Sequence, residues 1–305
     1  MRRIALTMFA ILAAGPAQAA PANACMDAKA SHDARIAGCS AIIDAKRDTG
    51  RALAIAYCNR GYALTEKREL DLALADLEQA IKIDAKYACS FSNRGRVWAF
   101  KGDLDRAIAD YAAAIRLDPR FAIAYNNRGD ALLRQNKVEM AIADFSEAIR
   151  LDPQNSHAYG NRGFAHFRMR AYQRALADYN VQIKLVPSDV LAYINRGNVW
   201  REMDQLDRAA SDYSEVIRLA PDDARGWRNR GLVRLLKEDF KGGIADYDKA
   251  IERDAADAPS WNNRGIAKRE ANDRAGAIAD FKKALEINPS LQSARNSLRD
   301  LGVAP

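Results

Sequence analysis

The chain has 305 residues, with 47 Lys and Arg against 40 Asp and Glu, which gives a formal net charge of +7. Hydrophobic residues make up 49% of the sequence and charged residues 29%, a balance that excludes an intrinsically disordered chain. The length is enough for about two ordinary domains. Three His and four Cys leave little material for a metal cluster.

Residues 1–19 have the three parts of a secretory signal peptide. Arg2 and Arg3 precede an apolar run over 4–14, and an Ala-Gln-Ala sequence ends at Ala19. The run is shorter than the roughly 20 apolar residues that a membrane-spanning helix needs. We therefore expect cleavage near Ala19 and a periplasmic or secreted protein without a membrane span. Loss of the two arginines lowers the net positive charge.

An Asn-Arg-Gly triplet recurs seven times, always 34 residues after the previous copy. The copies occupy 59–61, 93–95, 127–129, 161–163, 195–197, 229–231 and 263–265. If each unit starts five residues before its Asn, the fourth position is aromatic, the eighth is Gly and the twentieth is Ala or Gly. The twenty-fourth position is aromatic or Leu, and Pro follows near the end of most units. A fixed period of this length is typical of stacked helical hairpins.

This pattern resembles the tetratricopeptide repeat family over residues 54–291, as seven units. The resemblance implies an all-α fold, a right-handed superhelical solenoid of stacked antiparallel helix hairpins. Small residues at the eighth and twentieth positions let two helices approach closely. The departures are mild: Ala85 and Ala255 replace Pro, Gln182 replaces a small residue, and Gly243 replaces Ala.

The segments that flank the repeats are predicted to cover the ends of the array. Residues 20–53 form a degenerate N-terminal capping unit, in which 33–43 resemble a second helix with Cys39 at the aromatic position. Residues 292–305 are largely polar and include Leu298 and Leu301, as expected of a C-terminal capping helix.

The four Cys of an exported chain allow three complete disulfide pairings, and sequence alone does not choose between them. The repeat register favours Cys25–Cys39, because both lie in the degenerate first unit. It also favours Cys58–Cys89, which are one repeat minus three residues apart and so share a helical face in neighbouring units. Unpaired buried thiols are the alternative.

Every unit has Arg at its seventh position and Asp sixteen residues later. Tetratricopeptide repeats commonly have an apolar residue at the Arg position, so an inward-leaning Arg needs a partner. We predict a structural ion pair in each hairpin. A phosphate or nucleic-acid track of seven Arg is disfavoured, because the matching Asp would neutralise it. The predicted pairs are Arg60–Asp76, Arg94–Asp110, Arg128–Asp144, Arg162–Asp178, Arg196–Asp212, Arg230–Asp246 and Arg264–Asp280.

The recurring Asn is the main functional signal. The resemblance implies that the first helix of each hairpin lines a concave groove and that its sixth position, always Asn here, forms a ladder for an extended peptide. An amide both donates and accepts hydrogen bonds, which suits a peptide backbone. The alternative is an Asn that bonds to backbone within the hairpin. The predicted peptide-binding residues are Asn59, Asn93, Asn127, Asn161, Asn195, Asn229, Asn263, Arg134, Phe164, Phe167, Arg168 and Arg201.

The resemblance implies a protein or peptide as the partner, and no catalytic motif is present. The sequence lacks HExxH, GxSxG, SxxK, CxxC and a phosphate-cradling GxxxxGK[ST]. Arg-rich groove positions favour an acidic segment or a free C-terminal carboxylate. We expect a non-catalytic interaction scaffold without cofactor or metal, and no nucleic-acid binding. The alternative is a glycan-binding or polysaccharide export accessory protein, and an enzyme is the least favoured class.

Overall fold

The computed structural model describes residues 22–304, so the predicted signal peptide lies outside the described residues. Within this range the regular structure is entirely helical. The contacts divide the chain into two compact units, which meet at Gln135 and Asn136 in the sequence. No helix in the described range is long and apolar enough to cross a bilayer.

The first unit contains a short 3-10 helix, Ala22–Cys25, and six α-helices. Helix α2 packs against α3 and α4 against α5, so each pair forms a hairpin, while α1 packs against α2. The first helices of consecutive hairpins also contact each other, α2 with α4 and α4 with α6. The helices are α1 (His32–Ala45), α2 (Gly50–Glu66), α3 (Leu70–Ile83), α4 (Ala88–Lys101), α5 (Leu104–Leu117) and α6 (Ala122–Arg134).

The second unit contains ten α-helices with the same alternation. Four hairpins, α8/α9, α10/α11, α12/α13 and α14/α15, follow α7, and α16 packs on α15. The helices are α7 (Val138–Leu151), α8 (Ser156–Arg168), α9 (Tyr172–Leu185), α10 (Val190–Glu202), α11 (Leu206–Leu219), α12 (Ala224–Leu236), α13 (Phe240–Arg253), α14 (Ala258–Glu270), α15 (Arg274–Ile287) and α16 (Gln292–Asp300).

The helix bounds follow the repeat register closely. From α4 onward, every first helix begins at the first residue of its 34-residue unit. Helix α2 is longer and begins at Gly50, four residues before the unit that starts at Ala54, because Arg51, Ala52 and Leu53 favour a helix. The C-terminal helix ends at Asp300, within the predicted capping segment.

Each hairpin turns through a residue in the left-handed backbone region. In the turn after α8, Arg170 has φ 58°, and the N–H of Ala171 donates to the carbonyl of His166. This is the Schellman arrangement, which satisfies the last carbonyls of a helix. Glycine occupies this position only at Gly102 among the hairpin turns of the two units. The other residues at this position are Arg68, Asp204, Glu238 and Asn272.

The eighth-position glycines allow the two helices of a hairpin to touch. A Cβ on Gly197 would lie 2.8 Å from Cε1 of Tyr213, and one on Gly265 would lie 2.7 Å from Cε1 of Phe281. Both aromatic rings are completely buried. The side chain that fills the hairpin therefore occupies the volume that any larger residue at the glycine would need.

One departure from the repeat pattern is compensated locally. Gln182 replaces a small residue on α9, and its amide lies against Gly160, where a Cβ would be 2.7 Å from Oε1. The Nε2 of Gln182 donates to Asp189 at 2.8 Å, while its Oε1 is buried without a hydrogen-bond partner. A glycine on the facing helix thus makes room for the larger amide.

The four cysteines form one disulfide and two thiols. Cys25 and Cys39 are bonded, with Cα atoms 4.6 Å apart, and the bridge joins the 3-10 helix to α1. The predicted bridge between Cys58 and Cys89 is absent, and both residues are free thiols. The register does bring the two residues together, since Cys89 packs against the buried cluster that contains Cys58, and Nδ2 of Asn93 lies 3.3 and 3.7 Å from the two sulfur atoms. Sequence spacing predicts proximity and does not determine oxidation state.

Candidate functional site

Each of the two units has a candidate site, the face formed by the first helices of its hairpins, which we call the first-helix face. In the first unit it comprises α2, α4 and α6, and in the second α8, α10, α12 and α14. Side chains bridge neighbouring first helices along it. Arg96 on α4 pairs with Glu66 on α2 at 2.6 Å, and Arg228 on α12 reaches Asp257, the residue before α14, at 2.7 Å.

The recurring Arg lies inside the hairpin and meets its Asp through two parallel hydrogen bonds. In six pairs, Nε and Nη2 donate to the two carboxylate oxygens over 2.6 to 3.1 Å. The six carboxylates are only 2–7% exposed. The pairs are Arg60–Asp76, Arg94–Asp110, Arg162–Asp178, Arg196–Asp212, Arg230–Asp246 and Arg264–Asp280. The seventh predicted pair, Arg128–Asp144, spans the two units and stays a prediction.

The same guanidinium makes two further contacts. It stacks over the fourth-position aromatic ring of its own helix, at 5.2 Å for Arg230 on Trp227. In five of the six pairs its Nη1 reaches a side chain on the preceding helix of the chain, as Arg230 does with Ser214 at 3.2 Å. The hydrogen bond to Asp110 raises the pKa of Arg94, against the lowering effect of burial. These contacts use the Arg donors inside the fold, so they are not arranged as an anion track.

The adjacent Asn side chains are half-buried and have no common partner. In α2, the Nδ2 of Asn59 donates to the carbonyl of Cys25 at 3.0 Å. In α4, the Nδ2 of Asn93 lies 3.3 Å from Sγ of Cys58 and 3.7 Å from Sγ of Cys89. The same repeat position therefore makes a different contact in each of these helices.

The Asn residues at this position in the other first helices also differ in their contacts. Asn127 and Asn263 each accept a hydrogen bond from the preceding Asn, at 3.4 and 3.0 Å. Asn161 also has an intramolecular contact. The side chains of Asn195 and Asn229 have no hydrogen-bond partner within the described part of the chain. No single internal contact explains why Asn occupies this position in every unit.

The predicted aromatic residues of the site have different surroundings. Phe164 is 43% exposed on α8, as a ligand-contacting residue requires. Phe167 instead packs against Tyr172, with ring centroids 5.9 Å apart, and against the buried cluster that contains Leu176 and Tyr179. Phe167 is thus largely a core residue, since the side chain turns toward the second helix of its own hairpin.

The predicted arginines of the site are held by neighbouring groups. Arg134 donates to the carbonyl of Ala99 at 3.2 Å, and Arg201 pairs with Glu202 at 3.1 Å. Arg168 donates to the side chain of Asn136. With Arg96 and Arg228 also paired to carboxylates, the face carries less unpaired positive charge than its arginine content suggests.

A cluster of stacked arginines and rings on the first unit includes two residues outside the predicted groove positions. Arg35 and Arg96 lie over the ring of Tyr62, at 5.6 and 5.5 Å from its centroid. Arg68 lies over Phe100 at 3.9 Å. Arg35 belongs to the cap and Arg68 to a turn, so the repeat register does not assign either of them to the site.

The described residues contain no group of three or more His, Cys, Asp or Glu side chains arranged to hold a metal ion. One concave space, of about 360 Å³, lies beside Arg60 and Asp76 and is lined otherwise mainly by apolar side chains, among them Ile36, Leu64 and Leu72. An extended face fits this surface better than an enclosed small-molecule site does.

Comparison with known families identifies the class of protein. Residues 94–156, 127–190 and 194–259 match a profile described as tetratricopeptide repeat, and residues 54–87 and 258–291 match a second profile of the same description. The chain belongs to the tetratricopeptide repeat family, whose members are helical scaffolds for binding proteins or peptides. No curated protein matches the sequence.

Three solved structures illustrate what the chain is similar to. YrrB, described as a TPR protein with an unusual peptide-binding site, is 20% identical with a TM-score of 0.51, over 62% of this chain and 97% of that one. MamA from Desulfovibrio magneticus is 26% identical with a TM-score of 0.52, over 56% and 96%. A tetratricopeptide repeat protein from Parabacteroides merdae is 18% identical with a TM-score of 0.61, over 81% and 97%.

Proposed function

We propose that this protein is a non-catalytic scaffold that binds an extended peptide segment of a partner protein along the first-helix face. The observation that carries the proposal is the Asn at the sixth position of all seven units, half-buried and without a common internal partner. Asn195 and Asn229, which have no hydrogen-bond partner among the described residues, are the clearest candidates for ligand contacts.

The chemistry of an amide suits this role. Each Asn can accept from a peptide N–H and donate to a peptide C=O, so recognition depends little on the ligand's side chains. A single such bond contributes only about 0.5–1.5 kcal/mol, and useful affinity therefore needs several rungs. Exposed Phe164, Leu191 and Leu236 on first helices of the second unit offer apolar contacts beside the ladder.

The charge of the ligand is not part of this proposal. An acidic segment or a free carboxylate is expected if the groove arginines are unpaired. The structure instead pairs Arg96 with Glu66 and Arg201 with Glu202. Much of the positive charge is balanced within the face itself.

Two findings support the proposal without deciding it. The chain belongs to a family of protein-interaction scaffolds. YrrB, which is similar in fold, is described as having a peptide-binding site. At 20% identity that likeness establishes only the fold, so the ligand-contacting residues are inferred from this chain's own Asn positions.

The test uses a displayed library of random unstructured peptides to select ligands for the mature chain. Affinity of a selected, fluorescently labelled peptide is then measured by anisotropy for the wild type and for Asn195→Ala with Asn229→Ala. Loss of two to four hydrogen bonds should weaken binding about 10- to 100-fold. The control is Gln154→Ala, which removes an exposed amide from a turn outside the first-helix face.

Unchanged peptide affinity in the double variant, with its thermal unfolding also unchanged, would reject the ladder. Selection of no peptide, together with binding on an array of polysaccharide fragments, would favour the alternative of a glycan-binding or export accessory protein. A loss of affinity equal to that of Gln154→Ala would also count against the role of these two Asn.

We also propose that the protein is exported to the periplasm or secreted. Residues 1–19 have the pattern of a signal peptide. The Cys25–Cys39 disulfide is of a kind that persists in oxidising compartments. Fractionation of the expressing cells, with the intact mass of the product, should show a chain cleaved near Ala19 outside the cytoplasm. A full-length product confined to the cytoplasm would contradict export.

A further inference from the structure

Two thiols meet on the first-helix face of the first unit. Cys58, on α2, is completely buried, whereas Cys89, in the first turn of α4, is partly exposed. Both sulfur atoms lie near Nδ2 of Asn93, at 3.3 and 3.7 Å. The scaffold function of the repeats does not explain a pair of unbonded thiols at this position.

The surroundings of the two sulfur atoms are unequal. The influence of Cys58 first, and then of Tyr87 and Asn93, lowers the pKa of Cys89 to about 7 against the opposing effect of burial. The pKa of Cys58 is raised, first by its hydrogen bond to Cys89 and then by burial. At neutral pH, the thiolate fraction of Cys89 therefore exceeds that of an unperturbed Cys, which is only a few per cent.

A third polar group of this region is the hydroxyl of Ser90. Ser90 is completely buried next to Cys89 in the sequence, and its Oγ forms no standard hydrogen bond within the described structure. Ser90 lowers the pKa of Cys58, against the larger effects that raise it. This buried hydroxyl is therefore available to donate a hydrogen bond to a sulfur atom that gains negative charge.

We propose that Cys89 is a thiol-modification site that reacts with low-molecular-weight disulfides, and that Cys58 is the neighbouring thiol that displaces the attached group. The argument rests on the packing of Cys89 against the cluster that contains Cys58, on the position of Asn93 beside both sulfur atoms, and on the difference in exposure of the two cysteines. An incoming disulfide can reach Cys89 from solvent, whereas Cys58 can be reached only through Cys89.

The reaction balances in two exchange steps. The Cys89 thiolate attacks one sulfur of a disulfide RSSR, forms a mixed disulfide Cys89–S–S–R, and releases RS⁻. The sulfur of Cys58 then attacks the Cys89 sulfur, its proton passes to the departing group, and RSH leaves. The two cysteines lose two electrons and become disulfide-bonded, while RSSR is reduced to two thiols.

The first step prepares Cys58 for the second. The main cause of its raised pKa is the hydrogen bond to the Cys89 sulfur, and the charge of Cys89 adds to it. A mixed disulfide carries no charge on Cys89, so both causes are removed. Cys58 then ionises more readily, with Asn93 and Ser90 positioned to stabilise its thiolate.

The test treats the purified mature chain with oxidised glutathione at neutral pH and follows intact mass and peptide maps. The wild type should lose two hydrogens and retain no glutathione. Cys58→Ala should instead retain one glutathione on Cys89, and Cys89→Ala should remain unmodified at Cys58 over the same period. The Cys25–Cys39 peptide serves as an internal control, because it is already oxidised.

Two further measurements separate this site from a merely accessible thiol. The rate of iodoacetamide alkylation at Cys89 should rise with pH around a midpoint near 7, and at pH 7 it should exceed that of Cys58 by about tenfold or more. Tyr87→Phe keeps the ring but removes a donor, so it should move the midpoint upward. Tyr159→Phe, on α8, is the matched control and should leave it unchanged.

Preferential modification of Cys58, or equal alkylation of both thiols, would overturn the proposal. So would a wild-type chain that accumulates the glutathione adduct without resolving it, or that shows no reaction while circular dichroism reports a folded protein. An alkylation midpoint above pH 8 in the wild type would contradict the assignment of Cys89 as the attacking thiol.

Discussion

The interior of the hairpins and the first-helix face are built from adjacent residues, but their contacts differ. In the interior, Arg230 bonds to Asp246 through two nitrogens and stacks on Trp227, and five other arginines repeat the paired arrangement. On the face, the preceding residue, Asn229, has no hydrogen-bond partner among the described residues, whereas Asn93 approaches two thiols.

This contrast shows that a residue can recur at the same repeat position for either of two physical reasons. Where the same residue meets the same internal partner in each unit, the fold itself requires it. Where the residue recurs and its internal partners do not, an internal contact is a poor explanation. A repeating ligand such as a peptide backbone supplies the missing common partner for the Asn positions.

Removal of the Arg should have the largest effect on stability. Arg230→Ala removes both hydrogen bonds that this guanidinium donates to Asp246, which is 2% exposed and keeps only its ion pair with Arg234 at 2.9 Å, and it should cost about 1.5–3 kcal/mol in the free energy of unfolding. Asn229→Ala, one residue earlier on the same helix, should change it by less than about 0.5 kcal/mol, because no internal hydrogen bond is lost. Urea denaturation of both variants measures the difference.

Equal destabilisation by the two substitutions would contradict the distinction between the Arg and the Asn positions. It would mean that Asn229 has a structural role. A loss below about 1 kcal/mol for Arg230→Ala would place the pair with ordinary surface salt bridges.

A smaller effect distinguishes two helical glycines. Gly197→Ala puts a methyl group 2.8 Å from the buried ring of Tyr213 and should destabilise the protein by about 1–2 kcal/mol after the better helix propensity of Ala is included. At Gly243 the nearest atom to a Cβ, the carbonyl oxygen of Gly231, is 3.4 Å away. Gly243→Ala should therefore stabilise by up to about 1 kcal/mol.

Thermal and urea unfolding of these two variants should give changes of opposite sign. Destabilisation by both would indicate that Gly243 also contributes to close helix packing. Stabilisation by both would show that the ring of Tyr213 can move away at little cost.

The fold could be predicted almost completely because the same information is present seven times. The 34-residue period places the starts of helices α4 to α14, and the paired occurrence of Arg and Asp identifies contacts such as Arg60–Asp76 across a hairpin. Both features depend on contacts within one repeat or between neighbours. Each unit therefore gives a further copy of both features.

The parts that sequence did not predict depend on conditions or on single units. The turn residues Arg170 and Glu238 adopt a left-handed backbone without being glycine, since the Schellman hydrogen bonds hold the turn. Phe167 turns toward its own core, although its position in the register predicts a groove residue. For Cys58 and Cys89, spacing predicts contact, but whether the sulfur atoms are bonded depends on the redox environment.

The contacts of the recurring Arg give the array a direction. In five hairpins its third polar partner lies on the preceding helix of the chain, as with Arg196 and Asn180 or Arg264 and Asp248. During synthesis from the N-terminus, the Asp and the third polar partner of each such Arg have therefore both been synthesised once the second helix of its hairpin has emerged. If whole hairpins are removed from the C-terminus, every remaining Arg of these hairpins keeps its polar partners. If hairpins are removed from the N-terminus, the Arg of the new first hairpin loses its partner on the preceding helix.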